Sequence, residues 1–204
     1  MTTRAYQTQQ IFFAFNTTCI LTAYGGDCCR ALRSAKARVM EIDRKNTRAD
    51  ITVTIGYAAQ EVRRILLAAG VTEAVIKLGS TVIVIGGSRR IGVQNPFTAE
   101  DGNFAYIDIE DKAVVTKQLR DKNGIPVTRK ALRLTDEALV SVTLIGDNAV
   151  QLSALSNTAL NLSLKDAMAL LNDTNVEAIF VTEGQQVRTT DGLTKRQSAA
   201  RKAA

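Results

Sequence analysis

Apolar residues recur along this chain with two periods, and each period predicts an element. Residues 11–24 are rich in Phe, Thr and Ile and predict a strand that stops at Gly25-Gly26. Asp27 can cap a helix running to about Lys45, because Cys28, Leu32, Ala35, Val39 and Ile42 step by fours and threes on one face. The other face carries Arg30, Arg33, Lys36 and Arg38, a solvated surface. Residues 50–54 predict a short strand. Gly56-Tyr57 then opens a second helix, with Ala58, Val62, Ile65, Leu66 and Ala69 in one stripe and Gly70 as its left-handed stop.

A block of short strands follows. Residues 74–78, 81–85 and 90–94 each end in glycine or Asn-Pro, and 104–109 alternate as a half-buried strand does. Residues 113–118 make one more. Asp121-Lys122-Asn123-Gly124-Ile125-Pro126 is a strong turn signal. Residues 139–145 predict the clearest strand of the second half. Residues 150–162 and 164–171 predict two helices joined at Ser163, and 176–183 with 186–189 predict a hairpin around Gly184. This order is not the regular strand–helix alternation of a doubly wound sheet. It predicts an α+β fold with a mostly antiparallel sheet flanked by helices. Residues 1–192 read as one domain, and 193–204 as a disordered basic tail.

Composition narrows the chemistry. The chain has 204 residues, 46% apolar and 23% charged, which excludes wholesale disorder and a disulfide scaffold. Histidine is absent. That removes a Ser-His-Asp triad, a Cys-His pair, a His-ligated metal and any histidine base. Chemistry must fall to carboxylates, hydroxyls, thiols, Lys, Tyr, the backbone or an oxygen-held metal. Of the net charge of +6, four units sit on Lys195, Arg196, Arg201 and Lys202, which leaves +2 for the rest. So small a surplus argues against a nucleic-acid groove. Cys19, Cys28 and Cys29 have neither disulfide nor zinc spacing, and Cys28 fits a packed helical face. No apolar run is long enough to span a membrane, and no signal-peptide core precedes residue 11, so the expectation is a cytoplasmic protein.

Several phrases in colinear order resemble one family. These are FNTT at 15–18, EIDRKNT at 41–47, IGYAAQEVRRILLAAGV at 55–71 and AVIKLGSTVIVIGGSRRIGVQNP at 74–96. KNGIPV at 122–127, LVSVTLIG at 139–146 and LSALSNTALNLSLKDAMALL at 152–171 continue the series, which runs on through VEAIFVTEGQQVRTTDGL. The set resembles the ApbE family of FAD:protein FMN transferases, and it implies an abbreviated ApbE-like, T-fold-related architecture. Such proteins cut the pyrophosphate of FAD and hand FMN to a Thr or Ser hydroxyl of an acceptor protein. The resemblance therefore implies FAD as substrate, Mg²⁺ as cofactor and a flavinylation-motif protein as partner.

Carried over residue by residue, the resemblance implies a nucleotide site at Gly56, Tyr57, Gly79, Ser80, Thr81, Asp121 and Gly124, and metal ligands at Thr158, Ser153 and Thr54 (the last through a main-chain oxygen). No catalytic residue is assigned. Each position has a plainer reading: Gly79 as a tight hairpin, the Asp121–Pro126 stretch as a β-turn, and Asp147-Asn148 as a helix cap rather than a substitute ligand. The family's metal-binding Asp falls on Ser153 if Asn157 is an insertion, or on Ala154 if it is not. The family's Lys before Gly56 is Ile55, and its long segment between Thr47 and Asp50 is missing. Those losses define the alternative function, an inactive homologue that binds a flavin nucleotide or serves assembly. Strands uncovered by the missing segment would favour a homodimer.

Overall fold

The computed structural model describes residues 6–26, 28–45, 50–97, 102–119 and 137–193. The elements are β1 (Gln7–Ala14), β2 (Thr17–Tyr24), α1 (Cys29–Lys45), α2 (Ile51–Ala68), β3 (Glu73–Leu78), β4 (Thr81–Ile85), β5 (Arg89–Gln94), β6 (Asn103–Ile109), β7 (Ala113–Gln118), β8 (Leu139–Gly146), α3 (Ala149–Ala159), α4 (Leu164–Leu171), β9 (Glu177–Thr182) and β10 (Val187–Thr189). They divide into two compact units. One comprises Met1–Arg90, Asp108–Val115 and Asp147–Ala154; the other comprises Ile91–Ile107, Thr116–Gly146 and Leu155–Ala204.

In the first unit β1, β2, β3, β4 and the first half of β7 lie side by side, antiparallel throughout. Helices α1 and α2 pack on one face of this sheet, α1 over β1 and β2, α2 over β3 and β4. The helical period explains the choice of face. Leu32, Ala35, Val39 and Ile42 of α1 are buried, as are Ala58, Val62 and Leu66 of α2. Opposite them, Cys19, Leu21 and Ala23 of β2 and Ala74, Ile76 and Leu78 of β3 are buried at alternate positions. Burial pushes the Cys19 thiol up to about 11, and its side chain packs in the core.

Two predicted elements need correction. The stretch 11–24 is a hairpin: β1 and β2 are joined by Phe15-Asn16, with φ of 52° and 56°. Ordinarily Asn-Gly or Gly-Gly marks such a turn. Here the left-handed Phe15 is held by tertiary contacts, its N–H donating to Asp43 Oδ1 at 3.1 Å and its ring buried. The stretch 50–54 is not a strand. Asp50 is the N-cap, and its Oδ1 accepts from Thr52 N at 2.8 Å and Val53 N at 3.3 Å. Helix α2 therefore starts at Ile51, and the β-branched Ile51, Thr52, Val53 and Thr54 are its first turn. Asp27 lies outside the described residues.

In the second unit β9 pairs antiparallel with β8 and with β10. Every residue of β8 is buried, the mark of a strand covered on both faces. Across from it, Thr116 Oγ1 and Thr143 Oγ1 share a hydrogen bond of 3.0 Å. Helix α4 packs on β9 and begins at Ser163, whose Oγ accepts from Asp166 N at 3.2 Å and donates to Asp166 Oδ2 at 2.7 Å. Strands β5 and β6 form a separate two-stranded sheet. The fold is α+β with antiparallel strands, as the element order implied.

Candidate functional site

The candidate residues of the first unit lie at three places, the start of α2, the β3–β4 turn and the first turns of α3. Because α2 starts at Ile51, Gly56 lies in its second turn. Its N–H and the Thr54 carbonyl are interior members of the helical ladder and not free ends. Thr54 Oγ1 donates back to the Asp50 carbonyl at 3.0 Å. The helix-opening arrangement that would aim amides at a phosphate is therefore displaced from Gly56-Tyr57 to Asp50–Val53, where the Asp50 carboxylate already caps it.

Gly56 is a glycine for packing reasons. A Cβ there would overlap Ser153 Oγ and the Ala149 carbonyl, both on the first turns of α3. Ser153 is fully buried, and its Oγ donates to that same Ala149 carbonyl at 2.7 Å. The start of α3 is tied down further. Asn148 Oδ1 caps it, accepting from Val150 N at 2.9 Å and Gln151 N at 3.2 Å. Arg63 donates to the Asp147 carbonyl at 3.4 Å, and Lys112 Nζ reaches Asp147 Oδ1 at 2.8 Å. Of the pair read as a cap or a substitute ligand, Asn148 is the cap and the Asp147 carboxylate is an ion-pair partner.

Tyr57 goes elsewhere. Its hydroxyl accepts from Arg38 of α1 at 3.2 Å, and its ring is exposed. Arg38 also donates to Glu61 Oε2 at 3.1 Å and Glu41 Oε2 at 2.9 Å. Lys45 pairs with Glu41 at 2.6 Å and Arg64 with Glu61 at 3.0 Å. Lys45 and Arg38 together hold the Glu41 carboxyl down to about 2. Arg38 is raised in turn by Glu41 and Glu61. The structure thus separates Gly56 from Tyr57, neighbours in sequence, onto two sides of α2.

The β3–β4 turn is a two-residue loop, Gly79-Ser80, between the paired Leu78 and Thr81. Gly79 has φ of +56°, and a Cβ on it would lie 3.0 Å from Thr17 Cγ2. The positive φ favours glycine here, and an added Cβ would press on the Thr17 methyl. Ser80 is exposed, whereas Thr81 is buried and pairs with Val115 of β7. Thr17 belongs to the β1–β2 hairpin, so the Gly79 turn and the Phe15-Asn16 turn stand side by side, with Asp43 behind the latter. Asp43 is a residue the sequence reading missed. Its only signal was a carboxylate next to Ile42 of the buried stripe of α1.

Helix α3 carries the metal-binding phrase of the resemblance. Ser153 and Thr158 are five residues apart, roughly 140° around the helix. Accordingly Ser153 is buried and Thr158 exposed. Ala154, four residues before Thr158, shares its exposed side. Asp121 and Gly124 lie outside the described residues. Among the described residues no group of three or more His, Cys, Asp or Glu stands close enough to hold a metal ion. Thr54, Ser153 and Thr158 offer no carboxylate, and the first two hydroxyls are engaged by helix carbonyls. Neither Thr54 nor Ser153 therefore gives a hard divalent cation an anionic anchor.

Comparison with known proteins completes the picture. The ApbE family model matches residues 31–180. No curated protein matches the chain in sequence. Among solved structures it is similar to flavin transferase ApbE from Vibrio cholerae, with 11% identity, TM-score 0.72, and 94% of this chain and 99% of that one covered. It is also similar to the ApbE protein from Thermotoga maritima, with 13% identity, TM-score 0.74, and coverages of 93% and 98%. A third is the apo form of flavinyl transferase ApbE from Pseudomonas stutzeri, with 11% identity, TM-score 0.69, and coverages of 94% and 97%.

Proposed function

Because this chain belongs to the ApbE family, we propose that it is a flavin transferase, which takes FAD and passes FMN to a Thr or Ser hydroxyl of an acceptor protein. The observation that carries this reading is the family match over residues 31–180. In the reaction the acceptor oxygen bonds to the phosphorus on the FMN side. The pyrophosphate bond breaks, AMP leaves with the electron pair, and the hydroxyl proton goes to solvent. The Gly79-Ser80 turn, with an exposed serine hydroxyl beside a glycine, is where this reading seats a phosphate in the first unit. Mg²⁺ ordinarily neutralises a pyrophosphate in such transfers. Thr54, Ser153 and Thr158 supply no anionic ligand for it.

A specific observation favours a second reading, a homologue that binds the flavin nucleotide without transferring it. The Ser153 hydroxyl, one nominated ligand, is sealed between α3 and Gly56, and the alternative position is Ala154. One experiment separates the two. The protein is mixed with FAD and an acceptor carrying Asp-Gly-x-Thr-Gly-Ala-Thr, with Mg²⁺ and with EDTA, and the gel is read for covalent flavin fluorescence. A fluorescent acceptor band supports the transferase. A dark band together with an FAD-induced rise in melting temperature supports the binding module, and no response to FAD removes both.

A further inference from the structure

We propose that two copies of this chain associate through their β1 strands, which pair edge to edge and antiparallel about a two-fold axis. In the strand order β1 is terminal, with only β2 beside it among the described residues. The two-residue turn Phe15-Asn16 fixes which backbone groups β2 uses. Ala14 and Thr17 close the turn as a hydrogen-bonded pair, so even-numbered residues of β1 exchange bonds with β2. Gln7, Gln9, Ile11 and Phe13 then direct their N–H and C=O outward. Such a row of donors and acceptors is recognised by another extended strand.

Three features select a second copy as that strand. First, natural edges are guarded by charge, proline or a bulge, and Gln7–Ala14 contains no charged residue, no proline and no register shift against β2. An uncharged strand meets its own copy without repulsion. Second, antiparallel pairing about a two-fold is self-complementary, since residue i meets j and j meets i. Third, the odd-numbered positions carry large apolar side chains in water: Ile11 is 61% exposed and Phe13 is 64% exposed. They stand on the sheet face away from α1, whereas Phe12 points the other way and lies under Lys36 Nζ at 5.4 Å. Pairing in full overlap puts Gln10 near the axis and sets Ile11 and Phe13 against the uncharged Gln9 and Gln7 of the second copy.

Sedimentation velocity on the full chain over a wide concentration range tests this. A wild-type mass twice that of the chain is expected, and a monomer at every concentration overturns the proposal. Ile11→Lys with Phe13→Lys should halve the mass, and a variant that stays dimeric places the contact elsewhere. Ile11→Pro removes one outward N–H without touching a bond to β2, and edge strands tolerate proline. It should also halve the mass; if it remains dimeric while the Lys variant dissociates, stacking of faces replaces strand pairing and the proposal fails. Should either variant lose its fold, amide exchange on the unaltered protein decides. Protection at Ile11 and Phe13 that rises with concentration supports the pairing, and protection independent of concentration rejects it.

Discussion

Gly56 and Tyr57 are adjacent in the chain, yet α2 presents them to two unlike neighbours. Toward α3 the contact is so close that no Cβ fits, and it is sealed by a buried serine back-bonded to its own helix. Toward α1 the contact is a wet lattice of Arg38, Glu41, Glu61, Arg64 and the Tyr57 hydroxyl. One side tolerates no added atom, and the other can exchange partners with water. A phrase of sequence that resembles one nucleotide-binding unit is thus divided by the helix into a packing position and a surface position.

The largest effect is expected from Gly56→Ala. In an open helix that change would stabilise by about 1 kcal/mol. Here it should destabilise by roughly 1–3 kcal/mol, because the Ala149 carbonyl is backbone and cannot step aside. Urea midpoints measure it, and a gain in stability would refute the tight contact. Adding Ser153→Ala should recover only part of the loss, since the carbonyl remains.

On the wet side Arg38→Ala should lower the melting temperature by less than Gly56→Ala does, since its partners keep solvent and each other. Smaller again is an acid effect. The Glu41 carboxyl is lowered from 4.5 to about 2, so its contribution is present above 4.5 and fades as pH falls through 2. Glu41→Gln should accordingly bring the pH–stability curves together in that window, and curves that stay parallel would contradict the pairing with Lys45 and Arg38. Least of all, Tyr57→Phe should change stability by no more than about 0.5 kcal/mol. If FAD raises the melting temperature of wild type but not of this variant, Tyr57 faces the nucleotide. An undiminished shift would confine it to the Arg38 lattice.

Particular residues show where local rules sufficed. The stripe from Leu32 to Ile42 is one helical face in any context, and Ser163 is a helix cap on its own. Gly79 announces a turn because glycine alone reaches its φ cheaply. Phe15-Asn16 announces nothing, because its left-handed phenylalanine depends on Asp43, 28 residues away. The β-branched run after Asp50 reads as a strand by propensity, and the cap together with the packing of α2 on β3 and β4 overrides it. Gly56 was legible as a special glycine but not as a glycine facing Ser153.

Periodicity, capping and turn chemistry act over a few residues, so they were written in the chain: the face of α1, the start of α4, the Gly79 turn and an antiparallel α+β order. Which atoms meet across elements was settled only on folding. The hinge of the β1–β2 hairpin and the sealing of Ser153 against Gly56 depend on approach distances, which no residue encodes in isolation.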